Sequence, residues 1–107
     1  MSYPTATDIG QEGEAAVVRS LGAGGWTISN WDTQGAGATD IVAHKNGSGI
    51  LVQVKTALSP NLPASPGPLE SALIRARAAR NGYTPWLAQV VLSPLGLAAP
   101  RIQYNRI

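Results

Sequence analysis

Three polar residues interrupt two apolar runs of the sequence on either side of an Asn-Gly pair. Residues 39–56 read TDIVAHKNGSGILVQVKT, and Asp40, Gln53 and Lys55 lie within the segments rich in Val, Ile and Leu. Carboxylate and amide oxygens are hard ligands that suit Mg²⁺ or Mn²⁺. A metal there would activate water and stabilise the charge that grows on a phosphate, while a neighbouring lysine would hold a phosphate oxygen or orient the water. The three residues therefore indicate metal-assisted chemistry on a phosphate.

The pattern of this stretch predicts a β-hairpin, and its register decides whether the three side chains meet. With a two-residue turn at Asn46-Gly47, Asp40 lies directly opposite Gln53. With a four-residue loop, Asp40 faces Lys55 instead. In both cases the three side chains project from one face, with directly opposed Cβ atoms about 4.5–5.5 Å apart. A three-residue loop would shift the pairing by one residue and separate them.

Glu14 is a fourth candidate for the same cluster. Val17, Val18 and Leu21 follow it at helical spacing, so Glu14 lies at the border of the buried side of a helix. A helix packed on the hairpin face that carries Gln53 would bring this carboxylate to the cluster. Buried charges without partners are costly, and a metal site would explain why they are tolerated.

Periodicity and turn residues define the elements that must position these side chains. Asp8 is expected to cap a first helix, with Gln11 completing a capping box, and Gly22, Gly24 and Gly25 end that helix. The remaining chain predicts, in order, a strand (26–31), a glycine-rich loop (32–38), the hairpin (39–56), a proline-rich loop (59–68), a helix (69–82), a strand (86–92) and a short C-terminal edge strand.

The second predicted helix has one apolar stripe, which we expect to face the core. The stripe consists of Leu69, Ala72, Leu73, Ala76 and Ala79. Helices before and after a group of strands predict an α/β fold, with a mixed central sheet flanked by helices.

The composition limits the kind of protein this is. The chain has 107 residues, which predicts one domain over 1–107, and 44% hydrophobic against 13% charged residues argues against disorder. No cysteine is present, which excludes disulfides and thiolate metal sites and favours a cytoplasmic protein. No signal-peptide pattern and no apolar run of about 18 residues is seen, so no membrane association is expected. A net charge of +2 permits a polyanionic partner without requiring one.

Three motifs resemble those of a known enzyme superfamily. GQEGE (10–14), GATDIVA (37–43) and LVQVK (51–55) are similar to the PD-(D/E)XK nucleases, most of all to the archaeal-type Holliday junction resolvases and the YraN-like family. The segment GWTISNW (25–31) fits the same layout. The resemblance implies a restriction-endonuclease-like αβββαβ core and Mg²⁺-dependent cleavage of DNA.

The resemblance also implies a role for each residue that matches a motif. Asp40 would be the metal-binding aspartate, Lys55 the signature lysine and Glu14 the additional acid from the helix. The backbone carbonyl of Val54 would be a further metal ligand. Gln53 stands where the second acid of the signature usually lies. Glutamine is a recognised variant there in active relatives, but it removes one negative charge, and we expect weaker or single-metal binding.

We therefore expect a metal-dependent DNA endonuclease that hydrolyses phosphodiesters in branched DNA, as in recombination and repair. Because a four-way junction needs two cuts, a homodimer is expected. One alternative is a non-catalytic DNA-binding or assembly subunit on the same fold, and another is a restriction or repair nuclease that acts on linear duplex.

Four basic residues are candidates for contacts with DNA phosphates. They are Lys45, Arg75, Arg77 and Arg80. The single histidine, His44, lies next to the predicted turn and is expected to point to solvent.

Overall fold

Two α-helices and a five-stranded sheet make up the structure. The computed structural model describes residues 5–31 and 39–107, with the side chains of residues 6, 7, 39 and 40 outside the description. The elements are α1 (Ala6–Ala23), β1 (Thr27–Trp31), β2 (Thr39–Lys45), β3 (Ser48–Leu58), α2 (Pro68–Arg80), β4 (Thr84–Leu92) and β5 (Arg101–Arg106). The predicted αβββαβ order is confirmed, and β5 is the predicted edge strand. The glycine-rich loop predicted over 32–38 lies outside the described residues.

Helix α1 begins earlier than the sequence pattern suggested. Its N-cap is Thr5, whose hydroxyl oxygen accepts a hydrogen bond from the backbone N–H of Asp8 at 3.1 Å. The Asp8 carboxylate therefore lies in the first turn, where it interacts favourably with the helix dipole. The prediction that Asp8 is the cap was wrong because Thr5 offers an equivalent side-chain acceptor one turn earlier. Helix α1 ends at Ala23, followed by Gly24 and Gly25.

The hairpin has the two-residue turn. Asn46 and Gly47 have φ values of 52° and 80°. Positive φ at both central positions is what a type I′ turn requires, and Asn-Gly adopts it at low cost. The strands pair from Lys45 opposite Ser48 to Thr39 opposite Val54. The register is therefore fixed by turn chemistry.

The sheet is mixed, with the strands in the order β1-β2-β3-β4-β5. Strands β3 and β4 are parallel, and α2 makes the crossover between them. The three other neighbouring pairs are antiparallel, with an irregularity in β1 between Ile28 and Asn30. A parallel pair needs such a crossover connection, which places a helix on one face of the sheet.

The two helices cover opposite faces of the sheet. Helix α1 packs on the face formed by Ile50, Val52 and Val54 of β3, and the larger apolar core lies there. Helix α2 packs on the other face through a smaller cluster of Val42, Leu51, Ile74 and Ala78. Since β3 side chains alternate, Leu51, Gln53 and Lys55 belong to the α2 face.

Helix α2 presents a different side to the sheet from the one predicted. Its buried residues are Ile74 and Ala78, whereas Leu69 and Leu73 are 74% and 53% exposed. The expected apolar stripe is therefore on the outside. The strand residues beneath the helix explain this orientation. This face of the sheet carries Gln53 and Lys55, and the side of α2 that meets them carries Glu70 and Arg77. Within 5–31 and 39–107, no helix is long and apolar enough to cross a membrane.

Candidate active site

The β2–β3 register places Asp40 directly across from Gln53. This confirms the pairing expected for a two-residue turn and excludes the four-residue alternative, in which Asp40 faces Lys55. The backbone positions of the predicted pair are thus adjacent across two strands. The side chain of Asp40 lies outside the described residues, so its role in the site stays a prediction.

Gln53 is fully buried, with a relative exposure of 0%. It lies beneath α2, where Arg77 Nη2 is 3.5 Å from Gln53 Oε1. This separation is longer than a typical N–H···O hydrogen bond, so the contact is mainly electrostatic. An amide in an apolar sheet requires polar partners, and the guanidinium of Arg77 is one of them.

Lys55 is held by the carboxylate of Glu70, which was not among the predicted site residues. Its Nζ lies 2.7 Å from Oε1 of Glu70, in the first turn of α2. Both side chains are partly exposed, at 22% and 37%. The spacing of Glu70, Ile74 and Arg77 places all three on one side of a helix and is the signal that could have revealed Glu70. The leucine stripe on the opposite side obscured it.

Glu14 approaches from the other face of the sheet. The expectation that its helix packs on the face of Gln53 and Lys55 was wrong, because α1 covers the face of Val52 and Val54. Glu14 is 8% exposed, and its Oε1 accepts a hydrogen bond from Trp31 Nε1 at 3.2 Å. Trp31 pairs with Ile41, near the first residues of β2. Glu14 therefore lies near the end of the sheet at which β2 starts.

A close contact sets the distance between α1 and β3 at this end. Gly13 precedes Glu14, and a Cβ atom added there would overlap the hydroxyl of Thr56 and lie 2.7 Å from its Cγ2. A glycine is needed because no larger residue leaves room for the strand. The Gly13–Thr56 contact therefore fixes how close Glu14 comes to the sheet.

The donor atoms suit a hard divalent cation, although the metal site is incomplete in the described part. Among the described side chains, no group of three or more acidic or histidine residues could hold a metal ion. The Gln53 oxygen and the Val54 carbonyl lie at the end of the β2–β3 ladder, where Asp40 and Thr39 form the last pairs. Oxygen donors of this kind fit Mg²⁺ or Mn²⁺. Asp40, Gln53, Val54 and Glu14 thus remain the predicted ligands.

The four basic residues predicted to contact DNA do not form one surface. Lys45 lies on the α1 side, where its Nζ donates to the Gly24 carbonyl at 2.6 Å and lies 5.9 Å from the ring centre of Trp26. Arg75 is exposed on α2. Arg77 and Arg80 line a groove on the α2 face. Of the four, only Arg77 and Arg80 therefore lie together in a groove, and Arg77 also approaches the buried Gln53.

That groove has a volume of about 420 Å³ and is named here the α2 groove. Its lining residues come from β1, the hairpin and the C-terminal end of α2. They are Ser29, Asn30, Val42, His44, Leu51, Arg77, Arg80, Asn81 and Tyr83. His44 was expected to point to solvent, but it is half-buried here, with Nδ1 3.0 Å from Ser29 Oγ. The bulge in β1 explains the difference, because it brings Ser29 to the histidine.

A scan against models of known protein families and a comparison with curated proteins found no match for this chain. The resemblance to the PD-(D/E)XK superfamily stays a prediction from the three motifs.

Proposed function

We propose that this protein is a metal-dependent DNA endonuclease that hydrolyses phosphodiesters. The observation that carries the proposal is that the β2–β3 ladder brings polar residues to neighbouring positions. Gln53 is fully buried, Lys55 is half-buried two residues later, and Asp40 lies opposite Gln53 in the ladder. A core hairpin that served only for packing would place apolar residues at these positions.

Each residue has a distinct role in the proposed reaction. Asp40, Gln53 and the Val54 carbonyl would hold Mg²⁺ or Mn²⁺, with Glu14 contributing from the other side of the sheet end. When bound, such an ion would supply activation of a water and stabilisation of the charge that grows on the phosphate. The ammonium of Lys55 would bind a non-bridging phosphate oxygen or orient the attacking water.

The contact between Lys55 and Glu70 fits this role for the lysine. Glu70 keeps the ammonium at a defined place on the α2 face, at 2.7 Å from its own carboxylate. Both groups are partly exposed, so a phosphate can approach without unfolding the helix. The ammonium of Lys55 would then bind a phosphate oxygen in place of the Glu70 carboxylate or together with it. The backbone position of Lys55 would stay fixed by β3.

We further propose that the substrate is branched DNA and that two copies of the chain act together. A four-way junction requires two symmetric cuts, which a two-fold dimer provides. The outer side of α2 offers a surface for such a dimer, since Leu69 and Leu73 are exposed there with Ala72 and Ala76 beside them. Exposed apolar patches of this kind commonly mark protein interfaces.

The experiment that tests the proposal is cleavage of a labelled four-way junction and a matched linear duplex, with and without Mg²⁺ or Mn²⁺. The native chain is compared with Lys55→Ala and with the control Lys45→Ala, whose ammonium is engaged on the other face. We expect metal-dependent cutting of the junction that is abolished only by Lys55→Ala. Cutting of the duplex alone would favour a restriction or repair nuclease.

A second candidate function is a DNA-binding or assembly subunit without catalytic activity. The observation that favours it is Gln53 at the position of an expected acid, because one negative charge beside the metal is missing. Such a subunit would bind the junction equally well in EDTA and in Mg²⁺ and would cut neither substrate. That result would exclude the nuclease.

A further inference from the structure

The α2 groove is polar, basic and next to the candidate active site. Its floor is apolar, formed by Val42 and Leu51, while its rim carries the arginines Arg77 and Arg80 and the imidazole of His44. None of the nine lining residues has a carboxylate. A groove whose described lining residues supply cationic and amide donors but no acid is complementary to an anion.

Contacts between neighbouring elements hold the walls of the groove in place. Ser29 Oγ donates to the Val42 carbonyl at 3.2 Å and lies 3.0 Å from His44 Nδ1. The His44 and Tyr83 rings meet edge to face, with centres 5.5 Å apart. Tyr83 lies over Gly49, where an added Cβ would come within 2.6 Å of the ring. The groove is therefore formed by ordered elements of the sheet and its helix.

Amide donors are also placed at the helix end of the groove. Asn81 Nδ2 donates to the Arg77 carbonyl at 2.9 Å, which fixes the Asn81 side chain beside Arg80. On the opposite rim, Asn30 is exposed on β1. Backbone phosphates of DNA are contacted by this mixture of arginine, serine and asparagine side chains.

The groove continues from the site along β2. Arg77 connects the α2 groove with the candidate active site, because it lines the groove and its Nη2 is 3.5 Å from Gln53 Oε1. Asp40 and His44 are four positions apart on β2, which at about 3.3 Å per residue is roughly 13 Å. A strand backbone bound along this length of β2 would therefore lie next to the candidate active site.

We propose that the α2 groove binds the sugar-phosphate backbone of one DNA strand beside the cleaved phosphodiester. Arg80 and Arg77 neutralise phosphate charge, and Asn30, Asn81 and His44 contact phosphate or sugar oxygens. The choice of DNA as the anion rests on the proposed function. The groove itself is defined by its described residues.

The test measures binding of a fluorescently labelled junction and duplex by anisotropy in EDTA, over a series of salt concentrations. Arg80→Ala is compared with Arg19→Ala, at an exposed arginine on α1 that does not line the groove. We expect Arg80→Ala to weaken binding roughly fivefold or more and to reduce the salt slope by about 0.7–0.9, the contribution of one phosphate contact. Arg19→Ala should leave both the affinity and the salt slope within about twofold.

A second variant tests the groove without removing an arginine. Asn30→Asp places a carboxylate on the exposed rim, and repulsion should weaken DNA binding while circular dichroism and urea unfolding stay unchanged. The proposal would be overturned by equal effects of Arg80→Ala and Arg19→Ala, by no effect of Asn30→Asp, or by no binding of DNA to the native chain. A native chain that never cuts DNA, but binds it with the predicted difference between the arginine variants, would refute the nuclease and keep the groove.

Discussion

The ammonium of Lys55 on β3 and the carboxylate of Glu70 on α2 form an ion pair across the sheet–helix interface, with 2.7 Å between Nζ and Oε1. The pair joins a strand residue with a predicted catalytic role to a helix for which only contacts with DNA phosphates were predicted. It also shows that the side of α2 that faces the sheet carries a charged residue beside the buried Ile74 and Ala78. An acid beside Lys55 both orders its ammonium and competes with a phosphate for it.

The substitution Glu70→Gln tests this double effect. Cleavage at saturating DNA should fall about tenfold, a loss of about 1.4 kcal/mol in transition-state stabilisation, because the ammonium is less well ordered. DNA affinity in EDTA should rise, because a negative charge leaves the site. The free energy of unfolding should change by less than about 1 kcal/mol, since both groups are partly exposed.

Single-turnover cleavage and anisotropy measure the two effects separately. Glu12→Gln is the control, because it removes an exposed acid from α1. An unchanged cleavage rate together with unchanged affinity would show that Glu70 serves stability alone.

The substitution Gln53→Glu restores the acid that the motif usually contains. We expect Mn²⁺ affinity to rise about tenfold, because a carboxylate is a stronger ligand than an amide oxygen for a hard cation. Without metal, the protein should be less stable, since a fully buried carboxylate is costly even beside Arg77. Mn²⁺ electron paramagnetic resonance measures the metal affinity, and urea unfolding with and without Mg²⁺ measures the stability.

Gln53→Met is the control, because methionine has a similar size and no side-chain oxygen. Equal Mn²⁺ affinity in all three proteins would place the metal elsewhere.

Gly13 and Gly22 lie on the same helix, but replacing each with alanine should change the free energy of unfolding in opposite directions. Gly13→Ala should reduce the free energy of unfolding by about 1–3 kcal/mol, because the new methyl group overlaps Thr56. Gly22→Ala should raise it by about 0.5–1 kcal/mol, because nothing lies within 4 Å of its added Cβ and alanine favours the helix. Urea denaturation gives both values.

Adding Thr56→Ala to Gly13→Ala should recover part of the lost stability. A Gly13→Ala protein as stable as the native chain would mean that α1 packs less closely than described.

The exposed leucines of α2 predict how the chain associates. The double substitution Leu69→Ser and Leu73→Ser should weaken dimerisation at least tenfold and change the stability of the monomer little, because both side chains are largely exposed. Sedimentation equilibrium over a range of concentrations measures the association constant. Leu97→Ser, at an exposed leucine outside α2, is the control. A native chain that stays monomeric at every concentration would contradict the dimer.

The hairpin shows what the sequence could predict. Asn46 and Gly47 specify a two-residue turn by their tolerance of positive φ, and a turn of known length fixes every pair in the ladder. The position of Asp40 across from Gln53 therefore follows from local chemistry. The element order was also predictable, since periodicity and glycine or proline breaks mark most boundaries.

The orientation of the helices could not be predicted in the same way. Helix α2 has two sides at helical spacing, one with leucines and one with Glu70, Ile74 and Arg77. Which side is buried depends on the strand residues beneath, and a pattern within the helix does not contain that information. The face that α1 covers is likewise a property of the chain topology, so the expected approach of Glu14 was wrong. Thr5 and Asp8 were equivalent caps by residue type, and the pattern alone does not choose between them.

The hydrogen bond from Trp31 to Glu14 gives the protein an internal optical reporter. An indole that donates to a carboxylate emits in an environment set by that charge, and the exposed fraction of Trp31 is 37%. Any ion or ligand that draws the Glu14 carboxylate away would remove the acceptor and change the emission of this one tryptophan. Subtracting the emission spectrum of Trp31→Phe from that of the native chain isolates the emission of Trp31 from that of Trp26 and Trp86. Events at the buried acid can thus be followed in solution without an attached label.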